Sequence, residues 1–197
     1  MSKISIQTGT SHGGVVLPDG SIAQVNVDFG TLLQLSRIAR RDYGLGGAVQ
    51  HGASTLPEDA FSKFVESEAC EVHLATNFMN MFFDYCPSAL KADMYAYLRE
   101  KSASERKSDM TDEQFYYKTR KNVIGPFKSQ SWGMPTDTRE ALGQAWEDQF
   151  KKLFTLLGLE GTRAYVQQTV RPGIIRPDLR DYLGEAVEAE EVSDLAD

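Results

Sequence analysis

Hydrophobic and polar positions follow a strand-then-helix pattern three times near the start of the chain. Residues 4–8 alternate apolar and polar side chains, and residues 46–49 and 69–75 are short apolar runs, as in β-strands. A loop of small or polar residues follows each strand, and a helix-forming segment follows each loop. Because strands that alternate with helices form parallel βα units, the pattern predicts an α/β fold with right-handed crossovers.

The helices of these units have recognisable limits. From Thr31 onward, apolar residues recur at spacings of three and four, and Gly44 is the predicted end of this first helix. Pro57 suits the first turn of the second helix, because proline needs no backbone N–H donor there. The third helix is predicted from Phe78 to about Tyr85.

The rest of the chain has a different pattern. Residues 88–157 are mainly helical, with residues 101–113 as an exposed connection and a helix boundary at residues 133–136. The acidic end has too few apolar residues to fold by itself. We therefore predict three regions: residues 1–87, a helical extension over residues 88–180, and a disordered acidic tail over residues 181–197.

Composition narrows the possible partners and compartment. The 28 Asp and Glu against 21 Lys and Arg give a net charge of −7, which argues against nucleic acid as a partner. Two cysteines are too few for a disulfide scaffold, and Cys70, within an apolar run, is predicted to be buried. The first residues lack the pattern of a secretory signal, and no segment approaches the ~18 continuous apolar residues of a membrane span. A cytoplasmic protein without a membrane partner is expected.

The histidines are the first candidates for chemistry. His12 and His51 each end a predicted strand and precede glycine, and His73 lies in the third strand unit. The carboxyl ends of parallel strands share one edge of a sheet, so these loops should converge. A single histidine is more often structural, but two imidazoles at successive strand ends favour a metal site.

The same loops contain groups that could bind an anion. Gly13 and Gly52 allow backbone N–H groups to approach an oxyanion, and Ser54 adds a hydroxyl. Thr76 and Asn77 lie where a helix begins, with its free N–H groups and dipole. These features suit phosphate. Helix capping by Ser54, Thr55 and Thr76 explains the same residues equally well, and spacing alone leaves both interpretations open.

Three segments together resemble a known enzyme family. Residues 5–13 with GTSHG, residues 49–57 with HGAS, and residues 71–77 with HLAT are similar, in order and spacing, to the last three βα loops of class II, zinc-dependent fructose-bisphosphate aldolases. The resemblance implies a partial TIM (β/α)₈ barrel formed by the last three βα units, followed by the helical extension.

The resemblance also implies roles for individual residues. His12 and His51 would bind Zn²⁺, and four residues would bind a substrate phosphate: Gly13, Gly52, Ser54 and Thr76. The family has N-x-D-T where this chain has residues 73–76, so Thr76 is kept, while His73, like Asn77, is expected only to line the pocket. Arg120, in the segment YKTR, resembles a family arginine that reaches a substrate phosphate, often in a neighbouring subunit; a solvated surface arginine is the alternative.

In that family, zinc stabilises the enediolate of dihydroxyacetone phosphate during reversible cleavage of fructose 1,6-bisphosphate to this compound and glyceraldehyde 3-phosphate. A closed barrel needs about 250 residues, and no histidine here matches the family's first zinc ligand. We therefore expect the C-terminal part of an aldehyde-lyase from a truncated or split gene, inactive without its N-terminal part. Catalytic residues are left unassigned.

A different class of function is also consistent with the sequence. The helices of residues 88–157 could form a subunit interface in a non-catalytic oligomerisation module, with the strands binding a sugar phosphate or nothing. Open strand edges favour association with another chain. Both a homo-oligomer and a complement of the missing N-terminal part remain possible partners.

Overall fold

The computed structural model describes residues 2–10, 16–18, 23, 26–54, 56–170 and 178. The chain divides into two compact units, Met1–Glu160 and Gly161–Asp197. The first unit combines a small parallel sheet with seven α-helices in its described part, which confirms the mixed α/β class. The second unit contains one helix, α8 (Arg163–Thr169), in its described part, and the predicted tail over residues 181–197 lies outside the described residues.

The sheet has three short parallel strands in the order β1 (Ile4–Ile6), β2 (Ala48–Gln50) and β3 (Glu71–Val72). Ile4 pairs with Ala48, and Val49 pairs with Glu71. Every residue of β2 is buried, as expected for the middle strand. The predicted strand positions are confirmed, but β1 and β3 are shorter than their apolar patterns suggested.

Local signals account for the helices that follow. In α1 (Phe29–Tyr43), the Asp28 side chain accepts a hydrogen bond from the Thr31 N–H at 2.8 Å, and Gly44 ends the helix with φ 61°. A short 3₁₀ turn after Pro57 leads into α2 (Phe61–Glu66), and α3 (Thr76–Tyr85) begins at once after the third loop.

The helical part consists of α4 (Ser88–Lys101), α5 (Asp112–Thr119), α6 (Lys128–Trp132) and α7 (Thr136–Leu156). The predicted connection is shorter than expected, because its ends belong to α4 and α5. A capping box starts α5: Thr111 Oγ1 accepts from the Gln114 N–H, and Gln114 Oε1 accepts from the Thr111 N–H. The predicted boundary before Thr136 is confirmed.

Two hydrophobic clusters hold the first unit together. The sheet core packs β2, the second loop and α2 against α7, and its buried members are Leu32, Ala48, Ala53, Leu56, Ala60, Phe61, Phe64 and Leu153. The helical core joins α3, α4 and α5, and its buried members are Phe83, Cys86, Met94, Leu98, Phe115 and Val123. Since α3 contributes Phe78 to the edge of the first and Phe83 to the second, it links the two cores.

The burial of two sets of residues differs from expectation. Cys70 is exposed, so the prediction of a buried thiol is wrong; the third strand is only two residues long, and Cys70 precedes it. Phe150 and Phe154, which belong to the apolar pattern of α7, are 45% and 49% exposed, although Phe150 stacks on Phe78 with ring centroids 4.7 Å apart. None of the helices in the described ranges has the length and apolar character required to cross a bilayer.

Candidate functional site

The carboxyl ends of the strands bring two histidines together. The His51 N–H donates to the Ile6 carbonyl at 3.0 Å, and the His73 N–H donates to the Gln50 carbonyl at 2.9 Å. These bonds extend the sheet ladders by one residue on each side of β2, so the two imidazoles become neighbours with ring centroids 4.4 Å apart. Sequence reasoning placed both residues near one pocket but did not predict that their rings touch.

The His73 side chain forms a hydrogen bond with the Glu71 carboxylate. Its Nε2 lies 3.0 Å from Glu71 Oε2, and Lys3 donates to the other carboxylate oxygen. The hydrogen bond from Lys3, followed by that from His73, lowers the pKa of Glu71, so this carboxylate stays ionised. Half of the His73 side chain is exposed, which places the group at the rim of the strand ends.

The predicted metal site is only partly covered by the structure. His12 and Gly13 lie outside the described residues, whereas His51 is described and half-buried. Within the described ranges, no group of three or more His, Cys, Asp or Glu side chains is arranged to hold a metal ion. Zinc ligation by His12 and His51 therefore stays a prediction.

A buried amide fixes the loops beneath the histidines. Gln50, which is fully buried, accepts a hydrogen bond from the Thr8 hydroxyl at 3.0 Å. Its Nε2 donates to the Thr10 hydroxyl at 3.0 Å and to the His51 carbonyl at 2.8 Å. Sequence reasoning missed Gln50, although a long polar side chain at the end of a buried strand is a signal for such a network.

Tight backbone geometry supports the same loops. Gly9 has φ 86°, and a Cβ at this position would lie 2.3 Å from the Asn26 carbonyl oxygen, so only glycine fits. The Asp28 N–H donates to the Thr8 carbonyl nearby at 3.0 Å. Two contacts therefore hold the first loop: Gly9 packs closely against the Asn26 backbone, and Thr8 accepts a hydrogen bond from Asp28, the residue that caps α1.

Ser54 connects the second loop to the start of α3. Its hydroxyl oxygen accepts hydrogen bonds from the Ala75 N–H at 2.8 Å and the Thr76 N–H at 3.2 Å. The Ala75 side chain offers no cap, so Ser54 caps this helix from another loop. The capping interpretation is thus confirmed for Ser54, and the hydroxyl still has one O–H to donate. Thr55 lies outside the described residues, and Gly52 adopts φ 72°.

The predicted phosphate-binding residues border two cavities. Ser54 and Asn77 line a cavity of about 250 Å³ that α7 closes with Gln149 and Lys152. Thr76 lines a larger cavity of about 790 Å³, and Arg120 lies in the same lining. The larger cavity also contains three lysines and one aspartate: Lys107, Lys118, Lys121 and Asp109.

Arg120 is half-buried, so the interpretation as a solvated surface arginine is wrong. Its guanidinium carbon lies 3.9 Å from the Tyr117 ring centroid and 5.6 Å from that of Phe83, and Nη2 donates to Asn80 Oδ1. Burial is the main cause that lowers the pKa of Arg120, although an arginine this basic stays charged. Within the described ranges, no Asp or Glu forms an ion pair with it.

Comparison with known proteins does not place the chain in a family. A scan against family models and searches of curated proteins and of solved structures found no match. We therefore infer the function from the geometry of the strand ends and of the cavity that Arg120 lines.

Proposed function

We propose that this chain binds a sugar phosphate in the manner of the C-terminal part of a class II aldolase, and that its βα units belong to a (β/α)₈ barrel. The observation that carries the proposal is the position of Arg120: a half-buried cation without a carboxylate partner among the described residues, in one cavity with the start of α3. The parallel order of β1, β2 and β3 agrees with successive barrel strands.

Arg120 carries a half-buried positive charge that is not paired directly with a carboxylate among the described residues. Withdrawing a guanidinium from water is unfavourable unless a counter-charge or strong hydrogen bonds replace the lost hydration. A phosphate dianion would supply both, because its oxygens match the planar fork of arginine. The N-terminus of α3 at Thr76 and the nearby lysines add positive potential, although the chain as a whole is acidic.

Aldolase chemistry is the further part of the proposal. It requires Zn²⁺ bound by His12 and His51, and zinc in such a site would act as a Lewis acid toward the substrate carbonyl. We propose sugar-phosphate binding independently of this metal, because His51 is not among the described residues that line the Arg120 cavity. Zinc content of the purified protein, compared with that of His51→Ala, tests the metal separately.

Calorimetric titration tests the binding site. The full chain is titrated with dihydroxyacetone phosphate, fructose 1,6-bisphosphate and inorganic phosphate, as are Arg120→Met and the control Arg41→Met. Arg41 is exposed on α1, and its ion-pair partner among the described residues is Asp42. Since a hydrogen bond to a charged group contributes about 1.5–3 kcal/mol, Arg120→Met should weaken binding about 10- to 100-fold. No binding by the parent chain, or equal binding by Arg120→Met, would overturn the proposal.

A second candidate function, a non-catalytic homo-oligomerisation module, is favoured by a separate observation. Phe150 and Phe154 expose 45% and 49% of their surfaces on the same face of α7, one turn apart. Light scattering should then show a dimer or larger species that Phe154→Ser converts to monomer. Ser54→Ala separates the two functions. Ser54 caps the start of α3, whose Thr76 lines the Arg120 cavity, so this substitution should weaken sugar-phosphate binding there and leave association unchanged.

A further inference from the structure

Asn80 joins α3 to the candidate phosphate-binding arginine. It lies one helical turn after Thr76, and its Oδ1 accepts a hydrogen bond from Arg120 Nη2. An amide oxygen orients a guanidinium but does not neutralise it. Asp84, one further turn along α3, is exposed; its charge attracts Arg120, but the two side chains form no ion pair in the described structure.

A second contact restrains the same guanidinium. The Tyr117 ring lies under it, with 3.9 Å between the guanidinium carbon and the ring centroid. Stacking fixes the plane of the group, and the hydrogen bond to Asn80 fixes its rotation within that plane. Arg120 also forms a hydrogen bond with the Tyr117 side chain. A guanidinium has five N–H donors, so the bonds to Asn80 and Tyr117 do not use all of them.

We propose that Asn80 is a positioning residue that orients Arg120 toward a phosphate-bearing ligand while leaving the guanidinium without a directly paired carboxylate. The inference rests on the proposed function, in which Arg120 binds phosphate. A neutral oxygen at this position makes the ligand the counter-ion of the arginine. A carboxylate at the same position would compete with the ligand for that role.

The substitution Asn80→Asp separates this role from a merely structural one, because the two side chains have nearly the same shape. If Asn80 positions a charged arginine for a ligand, Asn80→Asp should weaken binding of inorganic phosphate and fructose 1,6-bisphosphate about tenfold or more. The melting temperature should stay unchanged or rise, because the introduced carboxylate would pair with the half-buried guanidinium. A structural role predicts no loss of affinity.

Matched variants complete the experiment. Gln34→Glu adds the same charge at an exposed position of α1 that does not line the cavity, and it should change neither affinity nor melting temperature. Asn80→Ser removes the contact without adding charge and should weaken binding only a few-fold, by about half a decade. Calorimetry gives the affinities, and circular dichroism gives the melting temperatures.

The outcomes distinguish the two levels of inference. If the parent chain binds no phosphate, the proposed function and the role of Asn80 fail together. If Arg120→Met loses binding but Asn80→Asp binds as tightly as the parent chain, the role of Asn80 alone is wrong. Equal loss of affinity and of melting temperature in Asn80→Ser and Asn80→Asp would also overturn it, because such a result indicates general destabilisation.

Discussion

Gln50 and Arg120 are polar side chains withdrawn from water in two different regions of the molecule, and their surroundings differ. The amide of Gln50, at the edge of the sheet core, is matched by neutral partners on both of its polar atoms. Arg120, beside the helical core, is matched by an amide and an aromatic ring but by no carboxylate among the described residues. The hydrogen-bonding groups of Gln50 are all satisfied within the protein, whereas Arg120 could still bind an anion.

The difference follows from where each side chain is anchored. Gln50 belongs to the middle strand, so its neighbours on both sides are fixed by sheet hydrogen bonds. Arg120 follows the last residue of α5 and reaches across to α3, where the wall of the larger cavity begins. A polar group inside a sheet therefore stabilises the fold, and one between helices can serve a ligand.

The largest expected effect is loss of stability on changing Gln50 to leucine. This substitution leaves the Thr8 and Thr10 hydroxyls and the His51 carbonyl with fewer buried partners, and it should lower the free energy of unfolding by about 1–3 kcal/mol. Urea denaturation measures the change, with the exposed Gln34→Leu as the control. Arg120→Met should lower the free energy of unfolding by less than Gln50→Leu does, because replacing a half-buried charge by an apolar side chain is often nearly neutral for stability. A larger stability loss for Arg120→Met than for Gln50→Leu would contradict the distinction drawn between these two residues.

An intermediate effect is expected at Ser54, which links the strand ends to α3. Ser54→Ala leaves the Ala75 and Thr76 N–H groups without their cap, and it should lower the free energy of unfolding by about 1 kcal/mol. The same substitution should weaken phosphate binding by the proposed site. Ser62→Ala, at an exposed position of α2, is the control in both assays. A variant that keeps full stability would show that Ser54 does not act as the cap.

The smallest expected effect on stability is at Glu68, a carboxylate that is paired with two arginines. Glu68 has φ 53° and accepts hydrogen bonds from Arg37 at 2.8 and 2.9 Å and from Arg40 at 2.9 Å. The hydrogen bond from Arg37 is the main cause that lowers the pKa of Glu68 in the folded state. Its stabilisation is therefore present above the unfolded-state pKa and is lost as pH falls through the folded-state pKa.

Melting temperatures between about pH 6 and pH 3 test this contribution. The difference between the parent chain and Glu68→Gln should be positive at the upper end and shrink toward the lower end. Glu66→Gln, at an exposed position of α2, should show no such trend. A pH-independent difference at Glu68 would mean that its ion pairs with Arg37 and Arg40 do not contribute to stability. Glu68 could then no longer serve as the paired charge with which Arg120 is compared.

Much of the first region could be predicted because its signals are local. The strand positions follow from apolar runs, and the end of α1 follows from Gly44, whereas its start is predicted at Thr31 and lies at Phe29. The lengths of β1 and β3 could not be predicted, because a strand extends only as far as its partner offers backbone groups. The register of β3 covers Glu71 and Val72, and the N–H groups of Cys70 and His73 on either side each donate one further hydrogen bond to β2. The Cys70 side chain is exposed even though its N–H is paired with β2.

The order of strands, loops and helices, the glycine that ends α1, and the residue types at the strand ends can all be predicted from the amino-acid sequence alone. Packing in three dimensions establishes that the rings of His51 and His73 touch, that Phe150 and Phe154 remain exposed, and that Thr76 and Arg120 share a cavity. Propensity and spacing act over a few residues, whereas these contacts depend on how elements distant in the chain pack against one another.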